Sequence, residues 1–201
     1  TQRLLRKRVF KDDKPITVEE KRAEDTKTAA DVILQRKYFE LRNALKEYTE
    51  LRAREDFLTF VRKEAPKVVP DFKMGKHIEV ICFKLQQAVD IGGLRLMVFL
   101  PPRSTKSVIC SKLFPAWYIG RRPSHEILSV SHSQILASDF GRSVRDIVNS
   151  QDFDKMFNGV KLRADVKAAG RWQTNKGGAY YAAGVGSQIA GRGAHIALLD
   201  D

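Results

Sequence analysis

The sequence predicts an α/β protein, a mainly parallel sheet flanked by helices, carrying an N-terminal helical extension. Three observations lead there. From residue 77 onward, short apolar runs of strand length alternate with longer segments at helical spacing. Those runs are apolar almost throughout, the pattern of strands covered on both faces. A chain of 201 residues with 43% hydrophobic content is long enough for one sizeable core plus an appended element.

Taken in order, the extension comes first. Residues 18–64 lack Gly and Pro and place Val32, Leu34, Phe39, Leu41, Leu45, Tyr48 and Leu51 at near-helical spacing, which predicts one long amphipathic helix. "TVEE" at 17–20 fits a capping box at its start, and Pro66 and Pro70 mark its end. The preceding "RLLRKRVFKDDKP" has no clear period and reads as a basic arm. The expected division is residues 1–53 as arm and helical extension, and residues 54–201 as the main domain.

In that domain "HIEVICFKLQQAV" (77–89) predicts a helix and "LRLMVFL" (94–100) a buried strand. "KSVICSKLFPAWYIG" (106–120) suits a helix that Pro115 must kink or end. "EILSVS" (126–131) predicts a strand, residues 133–150 a helix, and "GGAYYAAGVG" (177–186) and "AHIALLDD" (194–201) two more strands. Trp117, Tyr118 and Trp172 are expected in the core or at its edge. The chain opens on Thr1 and stops at an acidic pair after an apolar run, which reads as a piece of a longer protein.

A net charge of +12 favours an anionic partner. Residues 1–70 carry 18 basic and 13 acidic side chains and residues 71–201 carry 18 and 11, so no single tail supplies the excess. Cys82 and Cys110 are too few for a disulfide framework or a zinc site, and His77, His125, His132 and His195 show no ligand spacing. A reducing compartment fits this usage. No apolar run reaches the ~18–20 residues of a membrane span, and the expectation is a soluble protein.

"LPPRSTKSV" (100–108) resembles a phosphate-binding loop without its glycines. In G-x-x-x-x-G-K-[ST], backbone N–H groups wrap phosphates, the Lys reaches the β and γ phosphates, and the hydroxyl serves Mg²⁺. Lys106 and Ser107 supply the last two residues, while Leu100 and Thr105 stand at the glycine positions. No acidic residue lies between Asp90 and Glu126, whereas Arg95, Arg103, Lys106, Lys112, Arg121 and Arg122 do. Downstream, "IALLDD" (196–201) has the form of a strand ending in metal-binding and water-orienting carboxylates, Asp200 and Asp201.

Four segments in order, residues 54–66, 75–107, 114–148 and 177–201, make the chain resemble the ATPase domain of tailed-phage terminase large subunits, the motors that pump DNA into a prohead. That family's loop commonly reads P-P-R-x-G-K-S or P-P-R-x-T-K-S, so Thr105 is tolerated. The resemblance implies a P-loop NTPase fold of the ASCE type and a Mg²⁺-dependent ATPase that translocates double-stranded DNA as a homo-oligomeric ring. Portal protein and the terminase small subunit are its implied partners, and the host cytoplasm its place of work. A nuclease domain is implied beyond Asp201.

Carried onto this chain, the resemblance gives Lys106, with Arg103, Ser104, Thr105 and Ser107, to the nucleotide. Ser107 and Asp200 go to Mg²⁺, and Asp201 becomes the catalytic carboxylate. Arg103 reads as a phosphate contact or a solvated cation, and His77 as an adenine-side group or a capping His. Arg192, between Gly191 and Gly193, reads as an arginine finger or a DNA contact, with Arg142 and Arg145 as alternatives. Two other functions fit the residues, a helicase-type remodelling ATPase and a non-catalytic nucleic-acid-binding assembly protein.

Overall fold

Helix α1 (Val18–Glu55) begins directly after Thr17, where the capping signature puts it. The computed structural model describes residues 10–11, 14–15, 17–187, 189, 191 and 193–200, and the chain divides into two units, residues 1–47 and 48–201. In the first unit, β1 (Phe10–Lys11) pairs antiparallel with β2 (Lys14–Pro15) within the stretch read as an arm. Along α1, Val32, Leu34, Phe39, Leu41 and Leu45 are all exposed.

In the second unit, the helix expected to run unbroken to Glu64 stops at Glu55 and restarts as α2 (Phe57–Val68). The cause is Asp56, whose carboxylate accepts the Thr59 N–H at 2.7 Å and so caps a new helix. Gln86 of α3 (Lys76–Ile91) clamps the break, accepting the Phe57 N–H at 2.8 Å and donating to the Glu55 carbonyl at 3.2 Å. Pro66 does not end α2 but lies within it, two residues before its last. Gly92, at φ 76°, ends α3.

Residues 94–100, the expected strand, join no strand ladder among the described residues. Their side chains still alternate: Val98 and Leu100 pack half-buried against the core, while Met97 and Phe99 are exposed. After the lysine loop a helix starts at Lys106, widens into a π-helical stretch over Val108–Leu113, and narrows to α4 (Phe114–Arg121). The Phe114 N–H donates to the Ile109 carbonyl, five residues back. Pro115 lies inside this continuous helical run, directly after the wider turn, where its ring and missing N–H disturb the i−4 ladder.

Five strands form the main sheet: β3 (Glu126–Ser131), β4 (Leu162–Ala168), β5 (Arg171–Thr174), β6 (Ala179–Gly184) and β7 (Ile196–Asp200). Their order is β4-β5-β6-β3-β7. Only β6–β3 and β3–β7 are parallel; β4–β5 and β5–β6 are antiparallel. The sheet is therefore mixed, which corrects the expectation of the mainly parallel sheet of a P-loop NTPase. The physical reason is connection length, because Ala169–Gly170 joins β4 to β5 and residues 175–178 join β5 to β6. Links that short can only reverse the chain.

A second correction concerns the helices. Trp172 donates its indole N–H to Gly141 of α5 (Gln134–Val148), Trp172 opposes Tyr180, and Tyr180 opposes Ile127. This puts α5 on the face that carries the buried β3 residues Ile127, Ser129 and Ser131. Asp200 opposes Ser131 and bonds the π-helical stretch, so that stretch lies on the same face. Leu128 and Val130, on the other face, are half-buried, and Leu199 is 81% exposed. The sheet is not flanked evenly on both sides.

The core sits between the covered face and the helices, around Trp117, Trp172, Tyr180, Phe57 and Phe60. Trp172 stacks on Tyr180 with centroids 5.0 Å apart, and Trp117 donates its indole N–H to the Ala53 carbonyl at 3.1 Å. The three aromatics expected in or near the core are buried there. The short helix α6 (Gln151–Met156), capped by Ser150, adds Phe153 and Met156.

Candidate functional site

The loop between residues 100 and 106 compensates for its missing glycines by strain. Arg103 has φ 62° and Thr105 φ 64°, the left-handed region that glycine enters freely. For a β-branched residue this is an outlier, disfavoured by roughly 1–2 kcal/mol. The Thr105 hydroxyl donates to the Ser104 carbonyl at 2.6 Å, and its own carbonyl accepts the Ile109 N–H at 3.1 Å. Thr105 thereby turns the chain and opens the helix at once, leaving first-turn N–H groups facing the loop.

Lys106, in that first turn, sends its ammonium to within 3.3 Å of Asp200 Oδ1. Asp200 ends β7, and its side chain is only 7% exposed, whereas that of Lys106 is 27% exposed. The other carboxylate oxygen, Oδ2, accepts the hydroxyl of Ser111 at 2.7 Å. Two residues separated by 94 positions in sequence therefore meet at one buried carboxylate, and Ser111 joins them. The sequence reading missed Ser111, although a lone hydroxyl in the apolar run "VICSKLF" was the available signal.

Ser107 follows Lys106 with helical backbone and is half-buried. Among the described residues the buried Ser104 hydroxyl has no hydrogen-bond partner, nor has that of Ser131, which opposes Asp200 on β3. Cys110 lies in the π-helical stretch, and its thiol is pushed up to about 11 by burial and then by the Asp200 charge, with Lys106 opposing. Cys82 in α3 is pushed up to about 12, chiefly by burial.

The remaining expected residues divide. Arg103 is exposed and makes no ion pair among the described residues. His77 is exposed in the first turn of α3, its ring lying over Gly75, and no hydrogen bond or ion pair among the described residues links it to the loop. Arg142 pairs with Asp139 at 2.9 Å and Arg145 with Asp146 at 3.0 Å, both along their own helix. Arg192 and Asp201 lie outside the described residues.

At the opposite end of β3 and β7, the rings of His125 and His195 stack with centroids 4.0 Å apart. The Glu126 N–H donates to His195 Nδ1 at 3.0 Å, and the His195 N–H donates to the Glu126 carbonyl at 2.9 Å. Tyr118 Oη is hydrogen-bonded to His125 Nδ1 at 2.7 Å. Burial, then His195 and Arg122, hold the His125 pKa below the usual imidazole range. Sequence spacing gave no hint of this pair, because 70 residues separate its members.

The donor set at the loop fits a hydrated Mg²⁺ arriving with a nucleotide. Such ions take one or two carboxylates and phosphate oxygens and keep several waters. Asp200 and Ser107 supply one carboxylate and one hydroxyl. Groups of three or more His, Cys, Asp or Glu side chains able to cage a metal are absent among the described residues. No helix among the described residues is long and apolar enough to cross a membrane. Comparison of the chain with family models, curated proteins and solved structures finds no match.

Proposed function

We propose that this chain is an ATP-hydrolysing DNA translocase that resembles terminase large subunits, working as a homo-oligomeric ring with portal protein and a small subunit in the host cytoplasm. One observation carries the reading: Lys106 of the strained loop and Asp200 at the strand end converge to 3.3 Å. A lysine beside a buried carboxylate, at a helix N-terminus, is the pairing needed to hold a polyphosphate together with its cation.

Bound Mg²⁺ would neutralise charge on the β and γ phosphates. Lys106, partly open to solvent on a flexible stem, would give its ammonium to phosphate oxygens, and Asp200 with the Ser107 hydroxyl would hold the cation. First-turn N–H groups and exposed Arg103 would meet the remaining phosphate charge. The resemblance assigns Asp201 to water activation and Arg192 to the developing phosphoryl charge. The net charge of +12 suits a partner held through its phosphates rather than its sequence.

Titration of the chain with ATP and Mg²⁺, followed by calorimetry, tests this. Lys106→Ala removes a charge-assisted contact and is expected to weaken binding about a hundredfold. Equal affinities for the two proteins would remove the loop from the function.

A further inference from the structure

We propose that Ser111 is a positioning residue for Asp200, holding its carboxylate in the rotamer that a divalent cation requires. This rests on the nucleotide-site reading above and adds to it a residue outside the loop and outside the acidic strand end.

Ser111 is 2% exposed and Asp200 8%, and the bond between them, Oγ to Oδ2 at 2.7 Å, links residues 89 positions apart. Lys106 holds the other oxygen at 3.3 Å. The two contacts differ in kind. Lys106 has a long, partly solvated stem and a competing role toward phosphate, so its hold on Oδ1 is released when phosphate arrives. Ser111 has one rotatable bond and no solvent access, so its hold on Oδ2 persists. A buried carboxylate stripped of its cation would otherwise turn about its side-chain torsions toward whatever donor remained.

The π-helical stretch explains how a serine reaches that place. Ile109 and Leu113 are fully buried, and Ser111 between them is buried too. In an α-helix, residues two apart point about 200° from each other, so burial of all three requires partners on opposite sides. On one side the stretch packs against the core with α2, and on the other against β7. The i−5 bond from Phe114 to Ile109 marks the wider turn that carries this double packing.

Ser131 is the neighbouring hydroxyl on β3, equally buried and without a hydrogen-bond partner among the described residues. It opposes Asp200 in the ladder but makes no bond to it. Of these two serines, Ser111 is the one seen bonded to the carboxylate among the described residues.

The test uses Mn²⁺ as a paramagnetic substitute for Mg²⁺ and counts bound ions by electron paramagnetic resonance in the presence of ATP. ATP affinity without metal is measured alongside. Ser111→Ala is expected to weaken Mn²⁺ binding about tenfold, the usual scale for losing a ligand's supporting hydrogen bond, and to leave metal-free ATP affinity within about twofold. Ser111→Thr keeps the hydroxyl and is expected to restore Mn²⁺ binding. Should Ser111→Ala fail to fold, Ser111→Cys keeps the volume with a far weaker donor and is expected to show the same loss. Unchanged Mn²⁺ affinity in a folded Ala or Cys variant overturns the proposal alone. So does an equal fall in metal-free and metal-dependent binding that Thr does not rescue. A wild-type chain with no metal-dependent ATP binding overturns the functional reading, and this proposal with it.

Discussion

Strands β3 and β7 lie side by side, yet their two ends are built by opposite rules. At the carboxyl end, around Asp200, the backbone is strained at Arg103 and Thr105, a helix is widened, a charge is buried, and two hydroxyls lack partners among the described residues. At the amino end, around His125 and His195, rings stack, the backbone of Glu126 exchanges bonds with His195, and a tyrosine hydroxyl completes the imidazole. The first end holds unmet polar groups and stored strain; the second has met its own. In open α/β sheets ligands bind beyond the carboxyl ends of strands. The contrast shows how one strand pair can be closed by side chains at one end and carry strain and a buried charge at the other.

The sharpest way to break this comparison is to open the closed end. Gly178 leads into β6, and a Cβ there would lie 2.4 Å from the Pro123 carbonyl oxygen and 2.7 Å from that of His125. Backbone must move, because Pro123 O already accepts bonds from the Gly178 N–H and the Thr174 hydroxyl. Gly178→Ala is expected to cost about 3 kcal/mol in a urea unfolding curve, the upper range for overpacking. A cost within experimental error would mean that this end is loosely built.

A smaller effect of opposite sign is expected at the other end. Thr105→Gly relieves the left-handed strain of roughly 1–2 kcal/mol but adds glycine's own entropy cost of roughly 0.5–1 kcal/mol. The net gain in unfolding free energy is expected to be about 0.5–1 kcal/mol, and a loss would show that the Thr105 hydroxyl outweighs the strain. The smallest effect is one of pH, since His125 is half-buried and keeps some contact with solvent. Folded His125 holds its proton less readily than in the unfolded chain, so the unfolded state binds more protons as pH falls through the ordinary imidazole range. Stability is then full above about pH 6.5 and declines below it. His125→Phe is expected to flatten that decline in thermal unfolding scans, and an unchanged slope would place the titration elsewhere.

The parts of the molecule legible in the sequence are those whose patterns are local. Strands β3, β6 and β7 and helices α3 and α5 follow from apolar runs and helical spacing. The hairpin β4–β5 was missed although its signal was present: Arg163, Asp165 and Lys167 alternate with Leu162, Ala164, Val166 and Ala168, the period of a strand with one covered face, but the run lacks the continuous apolar character of the strands that were read. Charges of that kind suit the sheet-edge place that β4 occupies in the observed order. Residues 94–100 misled in the other direction, since an apolar run shows burial preference but says nothing of a ladder partner. At the site, Lys106 and Asp200 were visible as residue types, yet their meeting depends on the parallel pairing of β3 with β7. Ser111 stood out only as a lone hydroxyl in an apolar run, and nothing local marked the widened helical turn that carries it to Asp200. Asp56 could have been read as a break, being an N-cap residue three positions before Thr59.

The two cysteines have a consequence of another order. With thiols pushed up to about 11 and 12, both sulfurs stay protonated at neutral pH, and it is the thiolate that reacts with alkylating reagents and oxidants. Cys82 is buried, whereas Cys110, beside the buried carboxylate, is half-buried. Of the two thiols, Cys82 is therefore the one whose labelling reports opening of the helices around it, and its rate set against that of Cys110 separates opening of the supporting helix from access at the candidate site.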